Sequence, residues 1–105
     1  MNYNTAIQTL NGKNAKKIDH NTFLQKEHSG SVSILFHKTK ILTYQPSGEV
    51  NVSAGGYKTT TTKERINKFL PDKFSYKLVQ ENYSWRWNNG KNKILFIDGQ
   101  DLMKF

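Results

Sequence analysis

The sequence predicts an α+β domain: an antiparallel β-meander, one short α-helix, then a second antiparallel β-meander. Three observations carry this. Between Ser31 and Ser53 apolar residues recur at every second position and are broken by a Pro-x-Gly turn. Between Thr61 and Leu70 the apolar spacing lengthens to that of a helix and stops at Pro71. From Phe74 onward the period returns to two, with Asn89-Gly90, a strong hairpin signal, in its midst.

The elements follow in order. Residues 1–20 are polar, Asn-rich and weakly periodic: Thr5 to Leu10 would form one helical turn, and "NGKNAKK" reads as a basic loop. This predicts a partly flexible basic N-terminal segment over 1–20 and a single α+β domain over 21–105. In the first meander Val32, Ile34 and Phe36 alternate with Ser31, Ser33 and Leu35. A second run follows at Ile41 to Gln45 and a third at Val50 and Val52, with reversals at His37-Lys38-Thr39-Lys40 and Pro46-Ser47-Gly48.

For the helix, Thr61-x-x-Glu64 has capping-box spacing. Ile66, Phe69 and Leu70 fall on one face, and Glu64 and Lys68 form an i,i+4 pair on the other. Two to three turns are too few to stand alone, so the helix must pack on the sheet. In the second meander Phe74, Tyr76 and Leu78 alternate with polar residues, as do Tyr83, Trp85 and Trp87. Ile94 to Ile97 is apolar on both faces, as in a central strand, and "QDLMKF" closes the chain as an edge strand.

A chain of 105 residues supports one modest core. Aliphatics are scarce, so six Phe, five Tyr and two Trp must supply much of the burial. No cysteine is present, which excludes disulfides and thiolate metal sites and fits a reducing compartment. The start of the chain lacks the pattern of a signal peptide, and the longest apolar run is far too short to span a bilayer. Cytoplasmic location, with no membrane association, is the expectation. Sixteen Lys and Arg face eight Asp and Glu, a net charge of +8 that favours polyanionic partners. The same charge can also serve solubility alone.

Residues 53–71, "SAGGYKTTTTKERINKFLP", carry a resemblance. Gly55-Gly56-Tyr57-Lys58-Thr59, then Thr61-Thr62-Lys63-Glu64-Arg65-Ile66-Asn67, is similar to a motif of a family of small tailed-bacteriophage proteins of unknown function. A basic stretch before Asn21-Thr22, the His37-x-Thr39-x-Ile41 strand end and the Pro46 to Gly48 turn match it too, so the resemblance spans residues 13–71. Tyr57 stands where that family's motif would carry tryptophan, and Ser47 where it would carry an acidic residue. The resemblance implies a phage origin and no reaction.

Catalytic and metal chemistry have little support. His20, His28 and His37 match no compact metal spacing, and no P-loop, dinucleotide or nucleophile-elbow motif is present. No metal or cofactor is expected. A metal-independent ribonuclease needs only two histidines and a cation, which His20 and His37 with Lys38 or Lys40 could supply. Tyr83, Trp85 and Trp87 could stack bases or form the core; the shortage of aliphatics favours the core.

In a simple meander the His37–Lys40 turn, the Gly55–Lys58 junction and the helix N-terminus share one end of the sheet. Glycine amides, threonine hydroxyls and the helix dipole would there meet lysines, a setting for an anion. A turn and a helix cap alone would account for the same residues. The candidate nucleic-acid-binding residues are Lys38, Lys40, Gly55, Gly56, Tyr57, Lys58, Thr60, Thr61, Lys63 and Arg65. The leading expectation is a small accessory protein, not an enzyme, that binds DNA or RNA through phosphate. The alternative is a protein-interaction module docking on an acidic host protein.

Overall fold

Alternation of buried and exposed residues builds most of the molecule, as a computed structural model that describes residues 1–102 shows. Helix α1 (Tyr3–Leu10) leads into strands β1 (Ala15–Asp19), β2 (Thr22–Lys26), β3 (Val32–Phe36), β4 (Thr39–Tyr44) and β5 (Val50–Val52). Helix α2 (Thr60–Phe69) follows, then β6 (Lys77–Glu81), β7 (Ser84–Asn88), β8 (Lys93–Leu95) and β9 (Gln100–Leu102). All pairings are antiparallel, in one sheet of order β1-β2-β3-β4-β5-β9 and a second of order β6-β7-β8. The α+β class and the meander–helix–meander order are as the sequence predicts.

The expected three-stranded first meander is larger because residues 1–20 join the domain. Asn2 caps α1, its side-chain oxygen accepting the Thr5 N–H at 2.8 Å, and Ala6 and Leu10 enter the core. Beyond Asn11, which ends the helix at φ 50°, the last three residues of the basic "NGKNAKK" stretch open edge strand β1. Its Lys16 and Lys17 are exposed, which keeps the open edge from pairing with other chains. The boundary drawn at residue 20 has no counterpart in the packing. "QDLMKF" supplies the other edge strand through β9, and residues 103–105 of that run lie outside the described residues.

Helix α2 starts earlier than expected. Thr59, not Thr61, is the cap: its hydroxyl oxygen accepts the Thr62 N–H at 3.1 Å. Glu64 is then five residues past the cap and cannot close a capping box. Lys68 pairs with Asp19 rather than with Glu64. Ile66, Phe69 and Leu70 are buried as their spacing requires, and the Tyr44 hydroxyl donates to the Phe69 carbonyl at 2.5 Å, tying β4 to the helix end.

In the second sheet Trp85 and Trp87 are buried core residues, packed against Phe96 and, for Trp87, edge-on to Phe74 at 5.3 Å. Tyr83 does not share their face. It occupies a two-residue hairpin turn with Asn82, both at positive φ, and is 97% exposed. Phe74 and Tyr76 precede β6 instead of belonging to it. Asn89-Gly90 is not a two-residue hairpin: Asn89 closes a longer turn, its side-chain oxygen accepting the N–H of Lys91 and of Asn92. Ile94 to Ile97 is the largest departure, because β8 lies at the edge of its sheet and only Phe96 is buried.

Candidate functional site

Chain reversal brings three segments to one end of the large sheet. The β3–β4 turn is formed by His37 and Lys38, both at positive φ (49° and 69°), which throws the two side chains outward. One residue of β4 is extra in the pairing: Ile34 faces Leu42 and Leu35 faces Lys40, so Ile41 bulges into the interior. The junction after β5 and the first turn of α2 complete the set.

Between them runs a groove of about 530 Å³. Phe36, Ile41 and Ala54 make an apolar floor. His37, Lys38 and Thr39 form one wall; Tyr57, Thr59, Thr61 and Thr62 form the other. Tyr57 is 68% exposed, so its ring is open to a ligand. The Thr59 cap satisfies the Thr62 amide, leaving the Thr60 and Thr61 amides without a partner among the described residues. Their dipoles and the charge of Lys38 favour an anion here, and no carboxylate lines the groove.

The glycine junction itself behaves otherwise. Its amides are occupied by Asp98 of the same chain. One carboxylate oxygen accepts the Ser53 hydroxyl at 2.8 Å and the Ala54 N–H at 2.7 Å, and the other accepts the Gly56 N–H at 3.0 Å. Burial pushes the Asp98 pKa up, but the hydrogen bonds outweigh it and hold the carboxyl below its ordinary value. The concavity expected to bind an external anion holds an internal one, which corrects the assignment of Gly55 and Gly56 as ligand-binding residues. Gly55 instead meets a steric demand, because at φ +58° a Cβ there would lie 2.6 Å from the Thr39 methyl. Its bare backbone lets the junction close on the hairpin.

Of the ten residues expected, Lys38, Tyr57 and Thr61 line the groove. Lys40 turns away and pairs with Glu27 at 2.8 Å. That contact, with the Ser33 hydroxyl, lowers the Glu27 pKa. The Lys58 ammonium lies 5.8 Å from the centre of the Phe96 ring. Arg65 stacks over the Phe36 ring at 5.2 Å and pairs with Asp19. The Lys68 hydrogen bond, the His20 N–H and the Arg65 charge pull Asp19 down to about 2. Thr60 and Lys63 lie beside the groove without lining it. The His20 and His37 turns are neighbours, His37 N–H donating to the Asn21 carbonyl at 3.1 Å, but His20 does not line the groove. Sequence reasoning missed the floor and three of the lining threonines, Thr39, Thr59 and Thr62; the four-threonine run was the available signal for the last two.

The model of a family described as Kyanoviridae Gp96 protein matches residues 1–103. The chain belongs to that family. It is a phage protein family, in agreement with the resemblance carried by the glycine–threonine block. Comparison with curated proteins and with solved structures finds no match. The Gp96 family description names no activity, so it supplies an origin, and the groove supplies the chemistry. No helix among the described residues is long and apolar enough to cross a membrane, and no cluster of His, Asp or Glu there could hold a metal ion.

Proposed function

We propose that this phage protein binds nucleic acid at the groove between the β3–β4 turn and the first turn of α2. One observation carries the reading: Lys38, the exposed Tyr57 ring and Thr61, whose amide has no partner among the described residues, meet at a single groove that no carboxylate among those residues lines. Lys38 and this amide address phosphate, which carries no sequence information, so binding is non-specific. Tyr57 offers a face on which an unpaired base can stack, a contact worth about 1–3 kcal/mol. Single strands should therefore bind better than duplex. The protein would act in the host-cell cytoplasm, where it meets such strands.

Fluorescence anisotropy with labelled single-stranded and duplex oligonucleotides tests this. At about 50 mM salt the chain should bind the single strand and lose affinity steeply as salt rises. Lys38→Gln should reduce the salt slope by about one phosphate contact, and Tyr57→Ala should remove the single-strand preference. Full binding in the Lys38→Gln/Tyr57→Ala double variant would move the interaction away from the groove.

A further inference from the structure

β8 presents a surface that the groove does not use. It is the outer strand of the three-stranded sheet, with β7 on one side and nothing among the described residues paired on the other. The Phe96 N–H donates to the Trp85 carbonyl at 3.2 Å. By the alternation of an antiparallel ladder Ile94 also turns its backbone toward β7, while Lys93 and Leu95 turn theirs toward the open edge. Proteins usually blunt such an edge with short length, charge, proline or a bulge; on this three-residue strand the one charge, Lys93, is drawn to Glu81 at 2.8 Å. Here Ile94, Leu95 and Ile97 are 47%, 55% and 61% exposed. Leu95 stands on the Arg86 face and Ile94 on the Trp87 face, and the unpaired backbone between these exposed aliphatics is a template for another strand.

Charge selects the strand. Arg86 is the direct cross-strand neighbour of Leu95 and shares its outward face. Lys91 stands on the turn that leads into β8, and Lys58 lies over Phe96. None of these three cations pairs with a carboxylate among the described residues. The nearby acids are committed: Glu81 to Lys93 at 2.8 Å, and Asp98 to the Ala54 and Gly56 amides. A second copy pairing through its own β8 edge would set Arg86 and Lys91 against the same two cations. Nucleic acid would meet aliphatics, which give bases nothing to stack on.

We infer that the open edge of β8 receives an extended segment of a partner protein in which apolar residues alternate with Asp or Glu. The segment adds as a fourth strand, its backbone pairing with Lys93 and Leu95. Its apolar side chains lie against Ile94 on the Trp87 face, and its carboxylates lie on the opposite face, beside Arg86 and towards Lys91.

Selection of a random dodecapeptide library on the immobilised full chain tests this independently of the groove. The selected peptides should alternate apolar with acidic residues. A synthetic representative should bind about tenfold more weakly to Leu95→Asp and several-fold more weakly to Arg86→Gln, with affinity unchanged in Lys38→Gln. N-methylation at alternate peptide amides should abolish binding, which simple hydrophobic adhesion would tolerate. Thermal melts check that the variants fold, and Ile97→Asp replaces Leu95→Asp if that one does not. An empty selection, peptides without the acidic–apolar pattern, or equal affinity in the aspartate variant would overturn the inference. A dimer in sedimentation velocity that Leu95→Asp dissociates would give the edge to a second copy. Loss of oligonucleotide binding in that variant would give it to nucleic acid.

Discussion

Replacing Gly55 with alanine should impose two separable costs. The first is conformational: at φ +58° an L-residue sits in the left-handed region, roughly 1–2 kcal/mol above its preferred conformations. The second is steric, because the added Cβ meets the Thr39 methyl at 2.6 Å. Thr39 is β-branched and held in strand β4, so it cannot swing aside as the tip of a long side chain would. Overpacking of this kind costs typically 1–3 kcal/mol, giving a total of roughly 2–5 kcal/mol. Gly56→Ala is the control, since φ is +82° there and nothing lies within 4 Å of the new Cβ. It should show the conformational cost alone. Thr39→Ser removes the offending methyl, so in that background Gly55→Ala should fall to the cost of Gly56→Ala, a coupling of roughly 1–3 kcal/mol. Urea unfolding of the four members of the cycle and of Gly56→Ala measures all of these, provided the m-values agree. Equal costs at Gly55 and Gly56, or a Gly55 cost that Thr39→Ser leaves intact, would refute the close approach of junction and hairpin.

Trp87→Ala should destabilise the fold by about 3–5 kcal/mol, read from thermal or urea melts, because the side chain is fully buried against Phe74 and Phe96. The Asp19 carboxyl falls from its ordinary 3.8 to about 2 in the folded chain, so its pairing with Lys68 and Arg65 is fully present above about pH 4 and lost as pH falls toward 2. Urea midpoints between pH 6 and 2 should drop across that window, and less so in Asp19→Asn. Lys40→Gln should leave oligonucleotide affinity unchanged in anisotropy titrations, since Lys40 pairs with Glu27 away from the groove. An affinity loss as large as that of Lys38→Gln would show that phosphate reaches beyond the groove.

Period-two patterning made β3, β4 and β5 legible, because their apolar side chains enter the core at alternate positions, although in central β3 the intervening Ser33 and Leu35 are themselves buried or half-buried. The apolar stripe of α2 and the core role of Trp85 and Trp87 were legible for the same reason. β1 was not: its residues are exposed or half-exposed, so an edge strand of lysines carries no alternation to detect. β8 misled in the opposite direction, since an apolar run ordinarily means burial on both faces and here means an uncovered edge. The helix start was ambiguous because any of four consecutive threonines can cap. The spacing to Glu64 favoured Thr61, whereas the Thr59 hydroxyl, which donates to the Thr62 hydroxyl at 2.9 Å, decides it in the fold. Shared placement of the β3–β4 turn, the junction and the helix start followed from strand alternation alone. Occupation of the junction by Asp98 could not follow, because an exposed aspartate before a glycine reads locally as a turn.

The Asp98 clasp also sets an order of events. It joins Gly56 to a residue 42 positions later, and Ser53 to one 45 positions later. Contacts at such separation form late in folding, since the intervening chain must first be confined. During synthesis the first meander and α2 leave the ribosome before Asp98 exists, with the Ala54 and Gly56 amides still open. Any anion that meets the nascent chain can occupy them, and the carboxylate must then displace it. A protein read from its N-terminus thus closes this junction almost last, with a carboxylate that arrives after the second sheet.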